Sequence, residues 1–188
     1  MNCNPMTFLL IVVAYLVGAI PTGFLIGKIN GISDIRHHGS GNIGATNVGR
    51  SLGFRFFFLV LFIDAPKAYL CLYAFSFLAV SHNDIMFASA ALLLGNAYSI
   101  FLGGDGGKGV ATLVGIVGAL SSYLALVICL IWGVVILVTR TAFLASLISV
   151  AALSVGVWYL HAKLFFSSVC AFVFIVWRHR KNIYSALS

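Results

Sequence analysis

The chain has 188 residues, of which 62% are hydrophobic and 8% charged, whereas an ordinary soluble domain is about 45–50% apolar and about 25% charged. That balance excludes a soluble globule, and apolar residues arranged in runs rather than in alternation exclude a β-barrel, which leaves an all-α integral membrane protein. The formal net charge of +7, from 11 Lys and Arg against 4 acidic residues, reads in this setting as topology signals and contacts to anionic headgroups, with no nucleic acid implied.

The N-terminal MNCNPMTFLL lacks the positive region of a cleaved signal peptide, and no Lys or Arg precedes Lys28, so the first apolar run, about 6–29, is expected to remain as a helix. Further runs fall at about 54–80, 84–102, 109–139, 142–160 and 163–177. As one helix the 109–139 run would be about 46 Å long, beyond a hydrocarbon core of about 30 Å. Ser121 and Ser122, following Gly115 and Gly118, predict a break into a short helix near 107–119 and a full one near 122–139. The total is about seven transmembrane helices in a single polytopic domain over residues 1–188. Cys71, Cys129 and Cys170 lie inside apolar runs as small hydrophobes, and together with Cys3 they show no CxxC spacing.

An odd number of spans puts the two ends on opposite sides. With the C-terminus in the cytoplasm, Lys28, Arg36, Arg50, Arg55, Lys108, Arg140, Arg178, Arg180 and Lys181 face inward, Lys163 faces outward, and Lys67 lies within the second span. That asymmetry is what the positive-inside rule demands, and it predicts cytoplasm-facing polar loops.

Three polar segments then share the cytoplasmic side. The connection from Asn30 to Gly53, with GISDIRHHGSGNIGATNVGRSLG at its heart, holds Ser40, Asn42, Thr46, Asn47 and Arg50: neutral donors with one fork-shaped cation, suited to phosphate or glycerol oxygens. LGGDGGKGVAT, at 102–112, opens the short helix, and Gly-rich entries to helices can present backbone N–H groups to an anion. It is not a nucleotide P-loop, because Leu102 stands five positions before Gly107 and Gly109, not Ser or Thr, follows Lys108. The tail contributes His179, Arg180 and Asn182. Asp64 and Lys67, three apart within an apolar span, are expected to neutralise each other, since an unpaired charge there is costly. Neither Asp34 nor Asp105 has a carboxylate neighbour at ligand spacing, so no metal site is indicated. On these features alone, a transporter or channel for a phosphorylated solute is the rival to an enzyme, although no convincing internal repeat supports it.

The runs SGNIGATN (Ser40 to Asn47, followed by Arg50), GGKGVAT (Gly106 to Thr112) and HRKNI (His179 to Ile183) resemble the three signature motifs of the bacterial acyl-phosphate:glycerol-3-phosphate acyltransferases. The resemblance runs end to end and includes the early IPTGFLIGK segment and the intramembrane Asp-x-x-Lys. Asn96 after Gly95, and Ala68 after Lys67, depart from the His and Gly frequent at those places in the family.

The resemblance implies transfer of a fatty acyl group from acyl phosphate to the 1-hydroxyl of sn-glycerol 3-phosphate, giving lysophosphatidic acid and inorganic phosphate at the bacterial cytoplasmic membrane. It implies a catalytic set of Ser40, Lys108, His179 and Asn182. Asn42, Thr46, Asn47, Arg50, Gly106, Gly107, Gly109, Thr112 and Arg180 would bind substrate, with Arg50, Lys108 and Arg180 on phosphate and the amides of Gly106 to Gly109 orienting it. The proton acceptor is left open between His179 and a substrate phosphate oxygen. Implied partners are acyl phosphate, glycerol 3-phosphate and membrane lipids; no cofactor is implied, because the mixed anhydride arrives activated.

Overall fold

Pro21 divides the first apolar run of the computed structural model, which describes residues 5–78 and 80–187, into α1 (Pro5–Ala19) and α2 (Thr22–Ile29). Proline brings no backbone N–H to the helix ladder, so the expected single helix over 6–29 is a broken one. Cys3 lies outside the described residues. All regular structure among the described residues is helical, and the chain forms two compact units, Met1–Ala119 and Leu120–Ser188.

The first unit continues with a single 3₁₀ turn at Ile35–His37, then α3 (Ala45–Leu52), α4 (Phe54–Ser76), α5 (His82–Ala97), a 3₁₀ turn at Ile100–Leu102 and α6 (Val110–Leu120). Helices α1 and α5 approach backbone to backbone: a Cβ on Gly18 would strike the Leu92 carbonyl, and one on Gly95 the Tyr15 carbonyl. Small residues at such contacts are how helices associate in lipid, where burial of apolar surface provides little drive. At the far end, Thr7 Oγ1 donates to Asp84 Oδ1 at 2.6 Å, and Ser81 and Asp84 form a capping box that starts α5. Beneath the 30–53 segment, Ile26 of α2, Ile35, Ile43, Val48 of α3 and Val60 of α4 form one buried cluster. This polar loop is therefore seated on its own core rather than draped over the bundle.

The second unit comprises α7 (Ser122–Thr139), α8 (Ala142–Leu160), α9 (Phe165–Arg178) and α10 (Arg180–Leu187). The expected break in the long fourth run is present: Ser121 caps α7, its Oγ accepting from Leu124 N. Trp132 Nε1 donates to Ser146 Oγ at 3.2 Å, tying α7 to α8. The chain bends by 56° between 162–178 and 180–187.

Among the described residues, five segments are long and apolar enough to cross a membrane, or six if the bent pair counts as one span. The chain is thus a multi-pass membrane protein. The short helix expected near 107–119 is α6, whose 11 residues span only about 16 Å, so it is not among the segments long enough to cross.

Candidate functional site

Two of the residues singled out in the first loop, Ser40 and Asn47, meet at the Asn47 amide, whose residue exposure is 1%. Its Oδ1 accepts from Ser40 N at 2.7 Å and Ser40 Oγ at 3.2 Å, while its Nδ2 donates to His38 O at 2.9 Å and Ile35 O at 3.3 Å. Both ends of this amide are committed to the loop itself. Gly39 is part of the same construction: it adopts φ +56, and a Cβ there would collide with Asn47 Oδ1, so glycine alone fits comfortably. Ser40 and Arg50 are exposed, and Asn42 and Thr46 are half-buried. Thr46 lies in the first turn of α3, whose N-cap, Gly44, brings no side chain to the end of the helix.

The second loop lies against the first through Arg36. Its guanidinium is bidentate on Asp34, with Nε to Oδ1 at 3.0 Å and Nη2 to Oδ2 at 2.7 Å. It also donates from Nη1 to Leu102 O at 3.4 Å, stands 3.6 Å from Asp105 and covers the Phe24 ring of α2. This hydrogen-bonded cation holds the Asp34 carboxyl well below the usual carboxylate range, at about 2. Asp34 in turn raises the Arg36 guanidinium. In the sequence Arg36 stands out only as one of the inward cations; the signal for this role is Asp34, two residues earlier.

Within the second loop, Gly107 N donates to Asn96 O at 2.8 Å and Gly106 N to Ala97 O at 3.1 Å. Cβ atoms on these glycines would strike Asn96. The amides of Gly106 and Gly107, which the sequence nominates to orient substrate, are thus engaged by the end of α5. The two glycines let the loop lie flat on α5. Gly109, at φ +84, turns the chain into α6, and Lys108 beside it is half-buried. Thr112, in the first turn of α6, is 1% exposed, and its Oγ1 meets no hydrogen-bond partner among the described residues.

In the second unit, the candidate residues sit at the bend between α9 and α10. His179 is buried, with Nδ1 2.9 Å from Ile175 O. A carbonyl only accepts, so this contact puts the proton on Nδ1 and the basic lone pair of the neutral ring on Nε2. Arg180 donates from Nη1 to Trp177 O at 3.0 Å and stacks 4.4 Å above the Trp177 ring. Asn182 N donates to His179 O, and its side chain is half-buried.

Asp64 and Lys67 pair as expected, Nζ to Oδ1 at 2.6 Å. Among the described residues, no group of three or more His, Cys, Asp or Glu is placed to hold a metal ion.

The sequence matches the glycerol-3-phosphate acyltransferase family over residues 8–188. It is 36% identical over 181 residues to a glycerol-3-phosphate acyltransferase of Wolbachia pipientis subsp. Culex pipiens, covering 96% of this chain and 94% of that protein. It is 38% identical over 177 residues to one from Aquifex aeolicus, covering 93% and 92% respectively. The fold is similar to the crystal structure of PlsY (YgiH), an integral membrane glycerol 3-phosphate acyltransferase, in its glycerol 3-phosphate form, with a TM-score of 0.90, 36% identity and coverage of 97% of this chain and 92% of that one. The lysophosphatidic acid form of that protein gives a TM-score of 0.88 at 34% identity.

Proposed function

The chain belongs to the glycerol-3-phosphate acyltransferase family, and from that membership we propose that it transfers an acyl group from acyl phosphate to the 1-hydroxyl of glycerol 3-phosphate. The match over residues 8–188, which runs through both compact units, carries this reading and supports treating residues 1–188 as one acyltransferase domain. The 1-hydroxyl oxygen attacks the acyl carbonyl, the tetrahedral intermediate collapses, and the carbon–oxygen bond to phosphate breaks. The products are 1-acylglycerol 3-phosphate and inorganic phosphate, and the hydroxyl proton leaves with a base.

In this reading each candidate residue takes a role in the transfer. Lys108 offsets charge on the departing phosphate, as electrostatic catalysis requires, and exposed Arg50 binds a substrate phosphate by its fork. Ser40, Asn42 and Thr46 hydrogen-bond substrate oxygens at the uncapped start of α3, where the helix dipole favours an anion. Asn47 acts through Ser40, because its own amide is committed. Gly109 supplies the turn that presents Lys108, and Gly106 and Gly107 supply the flat approach to α5. A ligand oxygen at Thr112 would satisfy its buried hydroxyl, a group that is costly to leave unpartnered. Arg180 contributes to phosphate recognition and Asn182 to orientation. His179 Nε2 is the proton acceptor: the Ile175 carbonyl fixes the ring in the tautomer that a general base needs.

We place the 30–53 loop, the 102–108 loop and the tail on the cytoplasmic side of the bacterial inner membrane, supported by the cation distribution. In this topology α6, bounded by Gly109 and Ser121, counts as the fourth of seven membrane segments. The test of function is donor choice. Purified protein with glycerol 3-phosphate should form lysophosphatidic acid from acyl phosphate and not from acyl-CoA or acyl carrier protein; product from acyl-CoA alone would refute the assigned donor.

A further inference from the structure

The break at Ile20–Pro21 is held by side chains from two other elements. Ala19 O accepts from Ser99 Oγ at 2.6 Å, and Ile20 O accepts from Lys67 Nζ at 2.8 Å. Lys67 also reaches Asp64 Oδ1 at 2.6 Å, and that same oxygen accepts from Thr22 Oγ1 at 2.7 Å. Thr22, Asp64 and Ser99 are buried, and the side chains of Lys67 and Asp64 are only 10% and 8% exposed. Two charges inside an apolar bundle are expensive, and where they persist they commonly serve function. Here they hold one point in the chain.

Both candidate loops hang from that point. On one side α2 leaves the break and carries the first loop: Gly23 lies against Ile43 O and Val48 Cγ2, and Gly27 Cα would place a Cβ 3.3 Å from Ile35 Cβ. Ile35, Ile43 and Val48 bracket the stretch from Ser40 to Asn47. On the other side, Ser99 holds the break with its hydroxyl while its carbonyl accepts from Leu102 N at 3.1 Å and Gly104 N at 2.8 Å. Those two amides belong to the turn that enters GGDGGKG. The α1–α5 contact at Gly18 and Gly95 uses neither group, so the hydrogen bonds at the break are separable from the packing that keeps the spans together.

We propose that the Ile20–Pro21 break is a fulcrum that sets the spacing between the Ser40–Arg50 loop and the Lys108 loop, with Thr22, Lys67 and Ser99 as positioning residues. None of the three touches substrate in the reaction described above. They act through α2 and through the 99–104 turn, and the proposal rests on the acyltransferase reading for its catalytic consequence. A displacement of about 1 Å between groups that must act together can cost about 100-fold in rate, so a modest loss of register would be visible in turnover.

The test uses the full-length protein, with native cysteines replaced and spin labels placed on Ser33→Cys and Ile100→Cys, two exposed sites, one in the first loop and one in the 99–104 turn that enters the second. Thr22→Val removes the hydroxyl at nearly constant volume, Thr22→Ser restores it, and Ser99→Ala frees Ala19 O. The valine and alanine variants should keep their thermal midpoint within a few degrees, yet shift or broaden the label-to-label distance by about 2 Å. They should lower kcat by about tenfold or more, with KM for acyl phosphate within about threefold. Thr22→Ser should retain the wild-type distance and rate. An unchanged distance in both Thr22→Val and Ser99→Ala overturns the proposal, as does a changed distance with full turnover, or a lost rate at an unchanged distance. A wild-type protein without acyltransferase activity would instead refute the function assigned above, since the distance arm is read without turnover.

Discussion

Replacing Asn47 by alanine removes four hydrogen bonds at once, two accepted from Ser40 and one donated to each of the Ile35 and His38 carbonyls. Ser40 and His38 are exposed and can turn to water, whereas Ile35 is fully buried. At about 1 kcal/mol for a bond whose partner can be rehydrated, and up to about 3 kcal/mol for a buried group left without one, the loop should lose about 2–3 kcal/mol of local order. If Ser40 must be held in place for transfer, kcat/KM falls by about 30- to 150-fold. The same figure governs local opening, so amide exchange over 35–48 should quicken by a similar factor while α5 keeps its protection. Phosphate release and exchange mass spectrometry on Asn47→Ala read the two quantities separately. Turnover within about threefold of wild type together with unchanged exchange would show that the Asn47 network does not organise the site.

Lys108→Ala should lower kcat/KM by at least about 100-fold, or about 2.7 kcal/mol of transition-state stabilisation. Lys163→Ala, which also removes one positive charge, should stay within a few-fold; equal losses would reduce Lys108 to a general charge effect. Asp34 is depressed from 3.8 to about 2, so its contribution to loop order is fully present above pH 4 and is lost as the pH falls toward 2. Exchange protection over 34–38 should therefore be flat from pH 8 to 5 and drop between about pH 4 and 2, and Asp34→Asn should abolish that step. Single cysteines at Ser33, Asp105 and Ser185 should resist a membrane-impermeant thiol reagent in intact cells; labelling of any one from outside would overturn the topology.

The sequence announces the helical membrane fold because its apolar runs are long and uninterrupted, and Ser121 marked the fourth-run break because a serine after two nearby glycines favours a cap over a continuing helix. Pro21 carried a similar signal, but an apolar run of membrane length masked it. The Gly, Asn and Ser content of Ala45–Leu52 suits a loop, yet the segment is helical; its order comes from Val48 and Ile43 packing with Ile26 and Val60, a tertiary contact that composition cannot display. The same limit applies to the site. Residue type nominates Asn47, Gly106 and Gly107 for substrate but does not show that the Asn47 amide is also bonded within its own loop and the two glycine amides to the end of α5. Arg36, which joins those loops, resembled one more inward cation. Motif spacing reports which residues belong together, whereas the division between contact and support depends on partners far away in sequence.

If the protein transfers acyl groups as proposed, one acyl group moves for each acyl phosphate cleaved, and the stoichiometry of the two products measures this. Purified protein in detergent or vesicles, supplied with acyl phosphate and glycerol 3-phosphate, should release one inorganic phosphate per 1-acylglycerol 3-phosphate formed, with neither product when glycerol 3-phosphate is omitted. Phosphate release that continues without the acceptor, or glycerol 3-phosphate that crosses the vesicle membrane unacylated, would contradict the account.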